Sequence, residues 1–350
     1  MPYCYKCGAK LEEDANFCHV CGTPVGAPAM AAPARRRERT PYLLPITVLI
    51  TIVVVAIVAG AIIFAPVRPV DFNQSEEAPF ELGIDRLSVD LDADVARVNI
   101  TFEDLPGNLV VLNVSATGAV GILAPTTPIE VTFDHTVTEG LLAVTSRVYK
   151  ADRWPWLFSL NVVCDLHIDP SVNLSLNIRT SVGEIILNSK GGVIFDSLSL
   201  EATTGSVRAK LARNTVLNSD VSVKSTTGGV EFSWDNAKVT NNISVNVKTT
   251  TGGVKMNLNQ NDKIPANVTL NAETTTGGID FFVTIHDKVG AQIKSSTSFG
   301  GINVNKIGFS GDKSLMQSNN YPAKSNFIAS LKATIGGINI NANYTPSSSL

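Results

Sequence analysis

Four of the five cysteines, Cys4, Cys7, Cys18 and Cys21, fall in the first 22 residues as two Cys-x2-Cys pairs separated by ten residues. A Cys-x2-Cys turn delivers two thiolates from one backbone knuckle, and two such knuckles supply the four soft ligands of a tetrahedral zinc site. Gly8 and Gly22 follow the second cysteine of each pair, where a knuckle needs a positive φ. A module this short cannot fold on apolar burial, so the metal has to supply most of its folding free energy. His19 lies inside the second knuckle and is not needed, since the four-cysteine set is complete. Four thiolates leave no open coordination position, which makes the expected Zn2+ structural and single rather than catalytic. A redox role for the pairs would need a thioredoxin-like βαβ context, which the sequence lacks.

The other chemistry-bearing residues are sparse. Asp165, His167 and Asp169 alternate, which places all three on one outer face of a strand, where an acid/base or metal site could be assembled. Outward polar residues are also what alternation gives by itself, and the pattern stops at Pro170. There is no Gly-x-Ser-x-Gly, P-loop or HExxH segment. The chain is therefore expected not to be an enzyme. Cys164 falls on the inward phase of the same segment and reads as a lone buried thiol.

The elements that carry these residues follow from composition. The 350 residues hold 44% hydrophobic and 17% charged side chains with a net charge of -3, which gives no global signal for nucleic acid. From Leu43 to Phe64 there are 22 residues without a charge, the length of a helix that crosses a bilayer. Its only polar side chains, Thr47 and Thr51, are too few to form the polar face of a soluble core helix. Arg35, Arg36, Arg37 and Arg39 precede it, while Arg68, Glu76 and Glu77 follow. The positive-inside rule then places the N-terminus in the cytosol and the C-terminal domain outside.

Past residue 170 the chain repeats. Gly183, Gly205, Gly228, Gly252, Gly277, Gly300 and Gly336 follow one another at separations of 22, 23, 24, 25, 23 and 36. Aligned on that glycine, positions -7, -5, +2 and +4 are apolar in 27 of 28 cases, with Ser295 the exception. Spacing by two on each side predicts half-buried strands. The odd gap of seven between the inner positions requires the chain to turn at the glycine. Position -3 is Thr, Ala or Ser and position -2 Ser or Thr, side chains that fit a tight corner and can bond neighbouring backbone. A meander of Gly-Gly hairpins also satisfies the pattern, but units of equal length with identical inner positions stack more naturally as coils.

Two resemblances accompany these patterns. CYKCGAKLEEDANFCHVCG resembles the short zinc-ribbon domain found at the N-terminus of many prokaryotic membrane proteins, which implies that Cys4, Cys7, Cys18 and Cys21 bind zinc. The repeated Thr-x-x-Gly-x-Ile units resemble the adhesin-type domain family of membrane-tethered proteins, which implies a β-solenoid displayed at a surface for binding.

The expected plan is all-β. A zinc ribbon (1–24), an Ala/Pro/Arg-rich linker (25–42) and a transmembrane helix (43–65) are followed by a second linker (66–79). A β cap or first coils (80–169) then lead into a β-solenoid of about seven 23-residue coils (170–346). Membrane lipid, a protein or surface polymer outside, and a cytosolic protein docking on the ribbon are the expected partners. The alternative is a transmembrane sensor that couples ectodomain binding to a ribbon partner. The extra length of the last unit, in residues 306–327, reads as a capping loop or a binding loop.

Overall fold

The computed structural model describes residues 2–26, 43–64, 66–121, 126–151 and 158–345. The chain divides into two units, Met1–Val58 and Ala59–Leu350. Its elements are one helix and a large majority of strands.

Leu43–Phe64 forms one helix of 22 residues, with the bounds expected from its uncharged run. The Thr51 hydroxyl donates to the Thr47 carbonyl at 2.8 Å, which satisfies a polar group within the helix itself. Side chains are described only for 47–61, short of the roughly 20 residues that a crossing takes. Among the described residues no helix is long and apolar enough to cross a membrane. The expected transmembrane segment therefore rests on the sequence and is not supplied by the structure. The arginine run at 35–39 lies outside the described residues.

Every repeat unit forms one strand before its corner glycine and one after it. In the Gly252 unit these are Ile243–Thr251 and Val254–Gln260. Equivalent strands of neighbouring units pair parallel and in register, Val221 with Val245 and Val230 with Val254, for example. The hairpin meander is thereby excluded, since it needs antiparallel neighbours. The strands before the corners lie in a 14-stranded sheet and those after it in an 11-stranded one. Of the 28 inner positions 26 are buried; Ile302 and Val304 are half-buried.

The corner is a ladder of backbone contacts. The seven corner glycines have φ between +140° and +157°. A Cβ on Gly252 would stand 2.1 Å from the Gly228 carbonyl oxygen, and one on Gly205 1.7 Å from that of Gly183. Buried hydroxyls at position -3 hold the same carbonyls: Ser225 donates to Gly205, Thr249 to Gly228 and Thr274 to Gly252, at 2.8, 2.8 and 2.9 Å.

Three features differ from expectation. The last unit does not stack at the end. Its strands Asn326–Ile335 and Ile338–Thr345 lie between those of the Gly277 and Gly300 units, pairing with both. The Gly300 unit is thus terminal, which explains its polar inner residues. Ser295 bonds the Lys313 carbonyl of the loop that covers it, and Lys306 bonds the Gly311 carbonyl. That loop forms the strands Phe309–Gly311 and Leu315–Ser318, the second of which pairs antiparallel with Gly290–Phe299 and caps the sheet.

Secondly, an eighth unit stands ahead of the seven. Arg86–Val95 pairs with Asn173–Val182, and Arg97–Phe102 with Ile185–Asn188. Ala96 sits at its corner, where the Cβ that Gly183 lacks would meet the Ala96 carbonyl oxygen at 1.8 Å. Ala96 takes the place of the corner glycine in this unit. Thirdly, residues 66–79 are not a linker. Pro66–Pro79 is a strand paired antiparallel with Asn108–Gly121. Its even-numbered side chains from Arg68 to Ala78 are the less exposed ones, but Gln74 and Glu76 among them disguise the alternation. Glu76 on this edge strand and Lys306 on the opposite edge, Ile302–Ile307, are inward-pointing charged groups that discourage further strand addition.

Candidate metal centre and outer-face grooves

The N-terminal module is two copies of one knuckle, 14 residues apart. Gly8 donates its amide to the Cys4 carbonyl and Gly22 to that of Cys18, at 2.8 and 2.7 Å. Cys4 donates to Ala9 and Cys18 to Thr23, both at 2.8 Å, and isolated bridges join Tyr3 to Lys10 and Phe17 to Pro24. Gly8 and Gly22 have φ of 73° and 69°, as the knuckle requires. All four sulfurs lie within 4.8 Å of one another, with Cys4 to Cys21 and Cys7 to Cys18 at 3.6 Å. Tetrahedral zinc with bonds of about 2.3 Å has sulfur–sulfur edges of about 3.8 Å, so the donor set fits a metal ion of that size.

The thiols do not share one proton affinity. The Thr23 hydroxyl and amide draw Cys21 down to about 6. The Ala9 amide pulls Cys7 down as well, but the neighbouring sulfurs of Cys21, Cys18 and Cys4 outweigh it and push Cys7 up to about 12. Cys4 and Cys18 are buried, while Cys7 and Cys21 are exposed. His19 is exposed and outside the sulfur cluster.

Asp165, His167 and Asp169 share an outer face, as the alternation requires, but each is engaged separately. Asp165 accepts from the Asn99 amide at 2.8 Å, and His167 Nδ1 lies 2.6 Å from Glu103 Oε1. Asp169 accepts the amides of Leu105 and Ser171 at 3.0 and 2.9 Å. Burial works to raise the Asp169 carboxyl, but bonds from Ser171 and Leu105 outweigh it and hold it below its usual value. A carboxylate fixed in that way caps a turn and has no proton to give near neutral pH. Cys164 is fully buried, and burial, assisted by Asp165, pushes its thiol up to about 12, so it is inert.

Beyond the expected residues, the repeat units form shallow grooves across their outer faces. One, about 350 Å³, crosses the 14-stranded sheet between a row of mixed charge, including Lys224, Lys248 and Glu273, and the threonines at position -2. Two more, of about 340 and 300 Å³, cross the other sheet on either side of Phe282. The sequence alignment of the repeat reached the threonines at position -2 but not the charged row beside them or the row through Phe282.

No family model matches the chain, and no curated protein does. Solved structures similar to it include a protein of Clostridium sporogenes ATCC 15579, provisionally described as a cell adhesion protein. It has a TM-score of 0.39 and 12% identity, over 78% of this chain and 100% of that one. Another is a provisionally described adhesin of Bacteroides fragilis NCTC 9343, with a TM-score of 0.34 and 9% identity over 79% and 98% of the two chains. The chain is thus a mostly β protein with a four-cysteine cluster able to hold a metal ion, similar at low score to structures described as adhesion proteins.

Proposed function

We propose that the chain is a membrane-anchored, non-enzymatic surface protein. In this reading the Leu43–Phe64 helix crosses the bilayer, and the repeat domain is a β-solenoid that binds a partner outside. The N-terminal module is a cytosolic zinc ribbon for docking, and the bound Zn2+ ties its two knuckles together through Cys4, Cys7, Cys18 and Cys21. The observation that carries the reading is the in-register parallel pairing of equivalent positions, which seals an apolar core and turns whole rows of polar side chains outward. Such a scaffold repeats one surface along its length, which suits display and binding. The uncharged 22-residue run and the arginines before it support the anchoring and its direction.

The cysteines provide the test, because the buried Cys164 is silent. In intact cells a membrane-impermeant maleimide is expected to label a Thr226→Cys variant at that exposed site. The ribbon thiols are expected to react only after permeabilisation and metal stripping. Labelling of Cys7 or Cys21 in intact cells, or of Thr226→Cys only after permeabilisation, contradicts the proposed topology.

A further inference from the structure

One row on the outer face of the 11-stranded sheet differs from its neighbours. Strand pairing aligns Ser233 with Asn257, Asn257 with Phe282, Phe282 with Asn341 and Asn341 with Asn305. These five residues run in a line across the strands for roughly 19 Å at a spacing of about 4.8 Å. No charge interrupts the line. The parallel row two residues earlier is closed on itself: Arg208 pairs with Glu184 at 2.9 Å and Lys255 with Glu231 at 3.2 Å, while Asn339 links Asp280 and Asn303 at 2.8 and 3.1 Å. Asn257, Asn341 and Asn305, by contrast, leave their amides free to bond a ligand.

Phe282 stands in the middle of the line, 42% exposed; the other exposed large apolar side chain of this face, Ile307, stands on the edge strand two residues past Asn305. One exposed phenyl ring alone carries no weight. Here, however, two grooves of this sheet are lined by the same ring, one reaching towards Asn257 and the other towards Asn341 and Asn305, while a third lies over the charged row and does not include it. An aromatic face flanked by uncharged amide donors and acceptors is suited to a ring that is apolar on its faces and hydroxylated at its edges. The coil spacing is also close to the advance per residue of an extended pyranose chain.

We infer that this row is a binding site for a neutral polysaccharide, which lies across the strands with one sugar stacked on Phe282 and its neighbours bonded by Asn257, Asn341 and Asn305. The inference rests on the proposed binding role of the repeat domain, and names its site and ligand class. Lys210 continues the row beyond Ser233 and lines the groove on that side, but no cation stands beside Phe282 or the asparagines, which favours a neutral polymer over an anionic one.

The test is retention of the detergent-solubilised full chain on cellulose, chitin and starch, with calcium pectate and alginate beads as the anionic arm. At least one neutral matrix is expected to retain it. Phe282→Ala and Asn341→Ala are expected to weaken that retention at least tenfold, Phe282→Trp to keep it within about threefold, and Thr226→Ala on the other sheet to leave it unchanged. All of these side chains point outward, and unchanged melting curves confirm that the stack is intact. Equal retention of Phe282→Ala and the parent overturns the site, as does retention by the anionic beads alone or by no matrix at all. The thiol-labelling experiment is independent of all these outcomes, so the proposed topology stands or falls separately.

Discussion

Replacing Gly252 by alanine is expected to destabilise the repeat domain by about 4 kcal/mol or more, whereas alanine at the next residue, Gly253, should change stability by less than about 1 kcal/mol. The two positions belong to one Gly-Gly pair and differ only in what surrounds them. At Gly252 a Cβ meets the Gly228 carbonyl oxygen at 2.1 Å and its carbon at 2.5 Å, and φ is +147°. Those atoms are backbone, fixed by pairing on both sides, so nothing flexible can move aside. The φ alone costs an alanine on the order of 1–3 kcal/mol. At Gly253 the nearest atom, the Gly278 oxygen, is 3.6 Å away, an ordinary contact, and φ is not in the left-handed region. Glu184 and Ser206 already occupy the equivalent place in the first two of the seven units. Guanidinium midpoints of the two variants measure the contrast, and equal shifts would remove the close-packed corner from the account.

The second large effect is expected in the N-terminal module. Cys7→Ser should take the bound zinc from about one per chain to near zero and unfold residues 2–26, while His19→Ala should leave the metal in place. The apolar residues that the described part of the module buries are Cys4, Leu11 and Cys18, with Ala9 and Val25 packed beside them. Burying Leu11 contributes about 2 kcal/mol. Zinc binding at four thiolates, worth about 10–16 kcal/mol in small zinc-finger peptides, is several times larger than that burial. Metal content by elemental mass spectrometry checks the first part. The guanidinium midpoint of the repeat domain, which belongs to a separate unit, is expected to stay where it was. Full zinc content in Cys7→Ser would remove that cysteine from the ligand set.

The four-cysteine cluster and the corner were legible in the sequence because each is a local spacing rule. Two Cys-x2-Cys pairs specify a donor set, and apolar positions at -7, -5, +2 and +4 specify a turn between two strands. The order of the coils is a different kind of information. Every unit carries the same inner pattern, so nothing in the pattern tells the Gly277 unit whether Gly300 or Gly336 lies next to it. The signal that existed was in the exception: Ser295 is polar at an inner position because its unit is terminal and meets a capping loop, as does Lys306 two residues past the aligned positions. The eighth unit was obscured by Ala96 at its corner, although Val89, Leu91, Val98 and Ile100 match the inner register. The sequence of residues along the row through Phe282 was illegible for the same reason, since only the order of the units decides whether Asn341 or Asn305 lies next to Phe282.

Oxidative cross-linking of paired cysteines therefore tests coil order and binding row together. A disulfide needs Cα atoms within about 7 Å, which neighbouring strands about 4.8 Å apart satisfy and next-nearest strands do not. With Asn341 between them, Phe282→Cys with Asn341→Cys and Asn341→Cys with Asn305→Cys are expected to link in high yield, and Phe282→Cys with Asn305→Cys to remain reduced. Efficient linking of the 282–305 pair with none at 282–341 would mean that the units stack in chain order, which would contradict the fold described and place Asn305, not Asn341, beside Phe282 in the row.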